Sequence, residues 1–138
     1  MDSFGNLVEW GRVLEEIGRL GINRELDEHQ EGLVRILRYR ANWRLREAAL
    51  KAVTEMDAPR EALLSAVLEI MMDESLYHEV RVLAAEALAA GLARAQEKKR
   101  HDLDDLRHRA IQQIHELLSS TQAPVIHQGV RLVLSNIE

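Results

Sequence analysis

The sequence lacks cysteine altogether and contains only two prolines, seven glycines and five aromatic residues among its 138 positions. Without cysteine the chain has no disulfide, no thiolate metal ligand and no cysteine nucleophile, and we expect a reducing, cytoplasmic environment. So few prolines and glycines do not supply the tight turns that a chain of many short strands needs. We therefore expect a core of alanine, leucine, isoleucine and valine, which is typical of closely packed helices.

Long apolar runs are also missing from the sequence. No segment approaches the roughly 18 apolar residues of a membrane-spanning helix, so we expect no contact with a membrane. The start, MDSFGNLVEWGRVLEEIG, has neither the basic segment nor the apolar run of a secretory signal. This pattern again favours the cytoplasm.

The charge is acidic overall, with a formal net charge of −5, but it is unevenly distributed. Residues 1–30 carry −4, residues 31–51 carry +4 and residues 52–86 carry −6. The acidic total argues against a general nucleic-acid binder. A basic band between acidic blocks can instead orient a protein partner by complementary charge. The band contains a basic patch of five arginines: Arg35, Arg38, Arg40, Arg44 and Arg46.

Apolar residues recur at steps of three and four along almost the whole chain, which predicts an all-α protein of about seven helices. Gly21 suits the end of the first helix, and Pro59 and Pro124 suit the first turns of later ones. The predicted helices cover about residues 4–20, 27–40, 42–56, 59–73, 76 into the 90s, 102–120 and 124–138. The length suits a single domain over residues 1–138.

An internal repeat relates three of these helices. WRLREAALKAV aligns with HEVRVLAAEAL at an offset of 35 residues, and IHQGVRLVL follows at a further offset of 46 residues. Each copy comes after another amphipathic helix, so the repeating unit is a helix pair, and repeats of this length predict a solenoid. Small residues in the copies would let neighbouring helices approach closely: Ala49, Ala52, Ala84 and Ala87.

The repeated pattern, an apolar residue and an arginine followed by alanines and Ala-Leu, resembles the second helix of a HEAT repeat. The most similar variety is the bacterial type found in phycobilisome lyase subunits. The resemblance implies a right-handed α-α superhelix, with residues 1–26 as an N-terminal cap helix and residues 27–138 as three HEAT-like helix pairs. It also implies a module that binds a protein partner through its concave face. A small lyase-type or accessory enzyme subunit is the alternative.

The arginines of the basic patch allow two interpretations. In HEAT-like repeats an arginine early in the second helix often bonds acceptors in the adjoining turn, and Arg46 and Arg81 match that position, whereas His127 departs from it. The second interpretation is a nucleic-acid interface in which Tyr39 and Trp43 stack on bases while arginines hold phosphates. The acidic total makes this the weaker interpretation.

A candidate protein-binding face follows from the repeat offsets. On the second helices, the side opposite the predicted core contains many apolar residues, and exposed apolar patches mark contact surfaces. Either the cap helix or a second copy of the chain, in a homo-oligomer, is an alternative cover for this face. The candidate residues are Trp43, Glu47, Leu50, His78, Val82, Ala85, Ala89, Arg131 and Leu132.

Catalytic and metal-binding patterns are weak in this sequence. There is no glycine-rich phosphate loop, no HExxH and no GxSxG motif, so we expect a protein that is not an enzyme and has no cofactor. His101, His108 and His115 are seven residues apart, which places them about 10.5 Å apart along a helix and too far apart to share one ion. We therefore expect a solvent-facing polar stripe and no metal site.

Overall fold

The computed structural model describes residues 2–138, and all regular structure in this range is helical. This confirms the predicted all-α class and the seven helices. Short connections join them, and a single 3-10 turn at Leu26–His29 precedes α2. The helices are α1 Trp10–Ile22, α2 Gln30–Leu37, α3 Trp43–Glu55, α4 Glu61–Met72, α5 His78–Glu97, α6 Asp104–Leu118 and α7 Pro124–Ile137.

The helices pack in two rows. In one row α1 contacts α3, α3 contacts α5 and α5 contacts α7; in the other, α2 contacts α4 and α4 contacts α6. Three consecutive pairs, α2 with α3, α4 with α5 and α6 with α7, join the rows. Because contacts run between neighbours along the rows, the core is a continuous layer between them.

The repeat offsets describe the packing of the second helices. Their first residues, Trp43, His78 and Pro124, are separated by the same 35 and 46 residues that align the sequence copies. Corresponding apolar positions are buried in all three helices, as in Leu45, Val80 and Ile126. The predicted placement of small residues in helix contacts is also confirmed, because all four are buried: Ala49, Ala52, Ala84 and Ala87.

The first helix begins later than the sequence predicts, at Trp10 and not near Phe4. The preceding residues form turns, in which the carboxylate of Asp2 accepts from the backbone N–H of Phe4 at 3.0 Å and the amide oxygen of Asn6 accepts from Val8 N–H at 3.0 Å. Side chains that bond the backbone in this way compete with helix formation. Phe4 is buried against α2, where a Cβ added at Gly32 would lie 2.5 Å from its ring.

The end of α1 also differs from the prediction that Gly21 closes it. Gly21 lies inside the helix, and the left-handed residue is Arg24, with φ 58°. The N–H of Glu25 then donates to the carbonyl of Leu20 at 2.8 Å, which closes the last turn. Lys99, with φ 56°, has the same role after α5.

The connection between α3 and α4 is held from both sides. Asp27 accepts from the N–H of Ala58 at 2.8 Å, and the buried amide of Gln30 accepts from the N–H of Arg60 at 2.7 Å. From the other side, Lys98 donates to the carbonyl of Asp57 at 2.9 Å. Satisfied backbone groups keep this connection in one conformation, because unpaired polar groups at helix ends are costly.

Candidate functional site

Three of the five aromatic side chains are exposed, and all three stand at the beginnings of helices in one row. Trp10 starts α1 and is 40% exposed, Trp43 starts α3 and is 52% exposed, and Tyr77 precedes α5 and is 73% exposed. We call Trp10, Trp43, Arg44 and Tyr77 the aromatic edge. Large exposed aromatic side chains that adjoin one another indicate a contact surface.

Arg44 connects the two tryptophans of the aromatic edge. Its guanidinium carbon lies 5.4 Å from the centre of the Trp10 ring and 5.3 Å from that of the Trp43 ring. Both distances allow cation–π attraction, which amounts to about 0.5–1 kcal/mol at an exposed site. The local sequence positions this contact, since the side chain of Asn42 accepts from Arg44 N–H at 2.9 Å and caps α3. The edge is therefore partly ordered before any partner binds.

A cavity of about 320 Å³ lies between the starts of α3 and α5. Trp43 and Tyr77 line it, together with Arg46, Glu47, Glu79 and Val80. The cavity opens between two exposed aromatic side chains, so its volume and its aromatic walls suit an apolar side chain of a bound protein, beside three charged residues.

The turns behind the aromatic edge are bonded to one another. Arg40, in the turn before α3, pairs with Asp73, in the turn before α5, at 3.2 Å. Gln122, before α7, donates to Glu74 at 2.9 Å. Hydrogen bonds from Ser75 and then from Arg40 hold the pKa of Asp73 below its usual value. These contacts fix the three turns as one border of the molecule.

The predicted concave face is wrong in part. Leu50, Ala85 and Ala89 are at most 6% exposed. Packing by α7 explains part of this, because a Cβ added at Gly129 would touch both Ala85 and Val82 at 3.7 Å. The large apolar patch predicted there does not exist as a free surface. Two members of the predicted set, Glu47 and Val82, are half-buried. The remaining four are exposed: Trp43, His78, Arg131 and Leu132.

The basic patch is not one continuous surface. Arg35 forms two hydrogen bonds to Asp2, at 2.8 and 2.6 Å, and a third to the carbonyl of Gly5. Its hydrogen bonds hold the pKa of Asp2 below the usual value. Arg46 is buried, and only 6% of it is exposed. Arg38, Arg40 and Arg44 remain on the surface. These arginines have separate roles, so their proximity in the sequence overstates the positive surface.

The three spaced histidines of α6 and the turn before it are exposed, as predicted. His101 lies 3.3 Å from Asp104, and His115 lies 3.2 Å from Glu138. Over residues 2–138 no group of three histidine or carboxylate side chains is placed to hold a metal ion. In the same range, every helix is too short or too polar to cross a membrane.

Comparisons with family models, curated proteins and solved structures gave no match. The residues of the chain itself therefore carry the functional inference.

Sequence reasoning missed Trp10 and Tyr77 as site residues. The sequence pattern places Trp10 within a longer first helix and Tyr77 within the fifth predicted helix, and neither was considered as a binding residue. The sequence contains a signal for Tyr77. At the offset of 35 residues Tyr77 corresponds to Asn42, so it directly precedes His78, the position equivalent to Trp43. In a chain with few aromatic residues, aromatic side chains at equivalent helix starts indicate a shared surface.

Proposed function

We propose that this chain is a protein-binding module built from HEAT-like helix pairs that form a right-handed α-α superhelix. The two-row packing of α1–α7 supports a solenoid. The second helices also begin at the same offsets, 35 and 46 residues, that separate the sequence copies. In such proteins each helix pair leaves an apolar face that the next pair covers. The surfaces that remain at the edges are then available for partners.

The aromatic edge is the proposed binding surface. The observation that carries the proposal is the exposure of Trp10, Trp43 and Tyr77 in a protein with only five aromatic residues. Tryptophan, tyrosine and arginine are the residues that most often dominate binding energy at protein interfaces. Here Arg44 fixes two tryptophans, so less side-chain entropy is lost on binding.

The arrangement of arginines favours a protein partner over a nucleic acid. A nucleic-acid surface needs arginine and lysine side chains free to contact successive phosphates. Arg35 is engaged by Asp2, and Arg46 is buried. Acidic Glu47 and Glu79 lie in the cavity between Trp43 and Tyr77. A phosphate backbone along this edge would bring successive negative charges against these carboxylates, whereas a protein segment can place an apolar side chain there.

Charged substitutions on the aromatic edge test this proposal. Immobilised wild-type protein is compared with Trp43→Glu and Tyr77→Glu variants for capture of binding proteins, quantified by mass spectrometry. We expect each substitution to reduce capture of the main partner at least about tenfold, because loss of a central aromatic contact commonly removes 2 kcal/mol or more. Far-UV circular dichroism checks that both variants remain folded.

Ile22→Glu is the matched control, because Ile22 is 85% exposed and lies at the opposite end of α1 from Trp10. This variant should capture the partner as well as the wild type does. Equal losses in all three variants, or none in the two edge variants, would contradict the proposal. Sedimentation analysis identifies the case in which the partner is a second copy of the chain. Turnover that depends on the captured partner would favour the accessory enzyme subunit.

A further inference from the structure

Three equivalent positions of the second helices differ in one respect. Arg81 donates from Nε to the carbonyl of Met71 at 2.9 Å, and His127 Nε2 lies 3.3 Å from the carbonyl of Leu117. In both cases the carbonyl belongs to the residue ten positions earlier, in the last turn of the preceding helix. These two side chains therefore anchor the second helix of a pair to the first.

Arg46 occupies the same position in α3 but has no such anchor in the described chain. The carbonyl ten positions earlier, that of Ile36, accepts instead from the N–H of Tyr39 at 3.1 Å. The Nε of Arg46 is buried and has no hydrogen-bond partner among residues 2–138. One further nitrogen of Arg81, Nη2, is also unpaired, but Arg81 keeps its carbonyl bond.

A buried N–H group without an acceptor is unfavourable, because it has lost its water and gained no partner. Only 6% of Arg46 is exposed, and burial lowers its pKa from the ordinary value. The positive charge of Arg40 also lowers the pKa of Arg46, whereas the negative charge of Asp73 raises it. Asp73 already accepts from Ser75 and Arg40, so its oxygens are shared among several donors.

Arg46 lines two neighbouring cavities. One is the cavity of about 320 Å³ between Trp43 and Tyr77. The other, of about 170 Å³, contains Arg38 and Arg40 as well as Glu69 and Asp73. A group bound at the aromatic edge would therefore lie beside the Arg46 side chain. Within the smaller cavity three arginines face two carboxylates, whereas Glu47 and Glu79 make the larger cavity acidic, so a carboxylate is expected in the smaller cavity only.

We infer that Arg46 recognises a carboxylate side chain of the bound protein, next to an apolar side chain held between Trp43 and Tyr77. The guanidinium fork matches a carboxylate in two parallel hydrogen bonds. A singly charged planar group suits the smaller cavity better than a phosphate with about two charges, since Glu69 and Asp73 also line it. This inference rests on the proposed protein-binding function and specifies the partner segment as a single carboxylate beside an apolar side chain.

Paired peptide arrays test the inference. Each probe is a short synthetic peptide with one leucine or phenylalanine and one glutamate at varied spacing, and its counterpart carries glutamine in place of glutamate. The wild type should bind the best glutamate peptide at least about tenfold more tightly than its glutamine counterpart, measured by calorimetry. Arg46→Met should bind both with the weaker affinity. Arg46→Lys should show a reduced preference, because it keeps the charge but not the fork.

Arg60→Met is the control of equal charge change, since Arg60 is exposed and lines neither cavity. It should keep the full preference for glutamate. The inference is overturned if the wild type does not distinguish the two peptide sets, if Arg46→Met keeps the preference, or if a single-stranded oligonucleotide binds in place of the peptides. The proposed function fails separately, when Trp43→Glu does not reduce partner capture.

Discussion

Arg46 and Arg81 show how much a single residue type can differ in two equivalent places. The resemblance to HEAT repeats implied that both would bond acceptors in the adjoining turn. Arg81 makes such a bond to the carbonyl of Met71, whereas the buried Nε of Arg46 makes none, and His127, which departs from the pattern, lies 3.3 Å from the corresponding carbonyl of Leu117. Sequence cannot decide this, because reaching a carbonyl depends on the path of the preceding turn and on differences of about an ångström in donor–acceptor distance.

Substitution of the two arginines by methionine should have opposite effects on stability. Arg81→Met removes a buried hydrogen bond and leaves the carbonyl of Met71 without this donor, so we expect a loss of about 1–3 kcal/mol. Arg46→Met removes an unpaired buried charge while keeping a similar apolar chain, and we expect no loss or a small gain. Urea unfolding followed by far-UV circular dichroism measures both. Similar losses in the two variants would mean that Arg46 has a partner within the fold.

Among the elements, the helix interiors were easier to predict than their ends. The periodic pattern located all seven helices, because each buries an apolar stripe whose spacing is visible in the sequence. The start of α1 was missed because Asp2 and Asn6 bond nearby backbone N–H groups. Its end was missed because Arg24, and not a glycine, takes the left-handed conformation.

Two helical glycines, Gly32 and Gly18, differ in how much space surrounds them, and this difference gives a test of helix packing. A Cβ at Gly32 would lie 2.5 Å from the buried ring of Phe4 and 3.0 Å from Cβ of Asp2, so Gly32→Ala should displace the N-terminal segment and cost about 1–3 kcal/mol. Gly18, in α1, has no atom within 4 Å of such a Cβ. Gly18→Ala should therefore stabilise the protein by about 0.5–1 kcal/mol. Thermal unfolding compares the two variants, and a stabilising Gly32→Ala would show that Phe4 does not pack there.

On the scale of the whole molecule, the order of helices was predictable and the free surface was not. Offsets of 35 and 46 residues identified which helices are neighbours. They did not indicate which side of Ala85 the next helix covers, because the side that α7 contacts depends on the crossing angle of the two helices. Burial of a periodic apolar face is a local property, whereas exposure requires the complete packing.

Acid should weaken the molecule through carboxylates that join separate parts of it. Asp2 ties the N-terminal segment to α2 through Arg35, and Asp73 ties two turns together through Arg40. Both folded pKa values lie below the ordinary value of 3.8. Their contribution to stability is therefore complete above that value and is lost as the pH falls through the folded pKa values.

We expect the urea midpoint of the wild type to be nearly constant between about pH 7 and pH 5 and to fall below about pH 4. A variant with Asp2→Asn and Asp73→Asn should start lower and lose less between these limits. Asp105→Asn is the control, because Asp105 is exposed and has no ion pair within residues 2–138. If the double variant loses as much as the wild type, other carboxylates determine the acid transition.

The placement of aromatic residues also determines what ultraviolet light reports about this protein. Both tryptophans and Tyr77 are exposed at helix starts, Tyr39 is half-buried in a turn, and the one aromatic residue in the core is Phe4, which absorbs and emits weakly. Intrinsic emission therefore arises at the aromatic edge and not in the aliphatic interior. It should shift to shorter wavelength when an occupant excludes water from Trp43. Tryptophan fluorescence therefore reports directly on binding at the proposed surface.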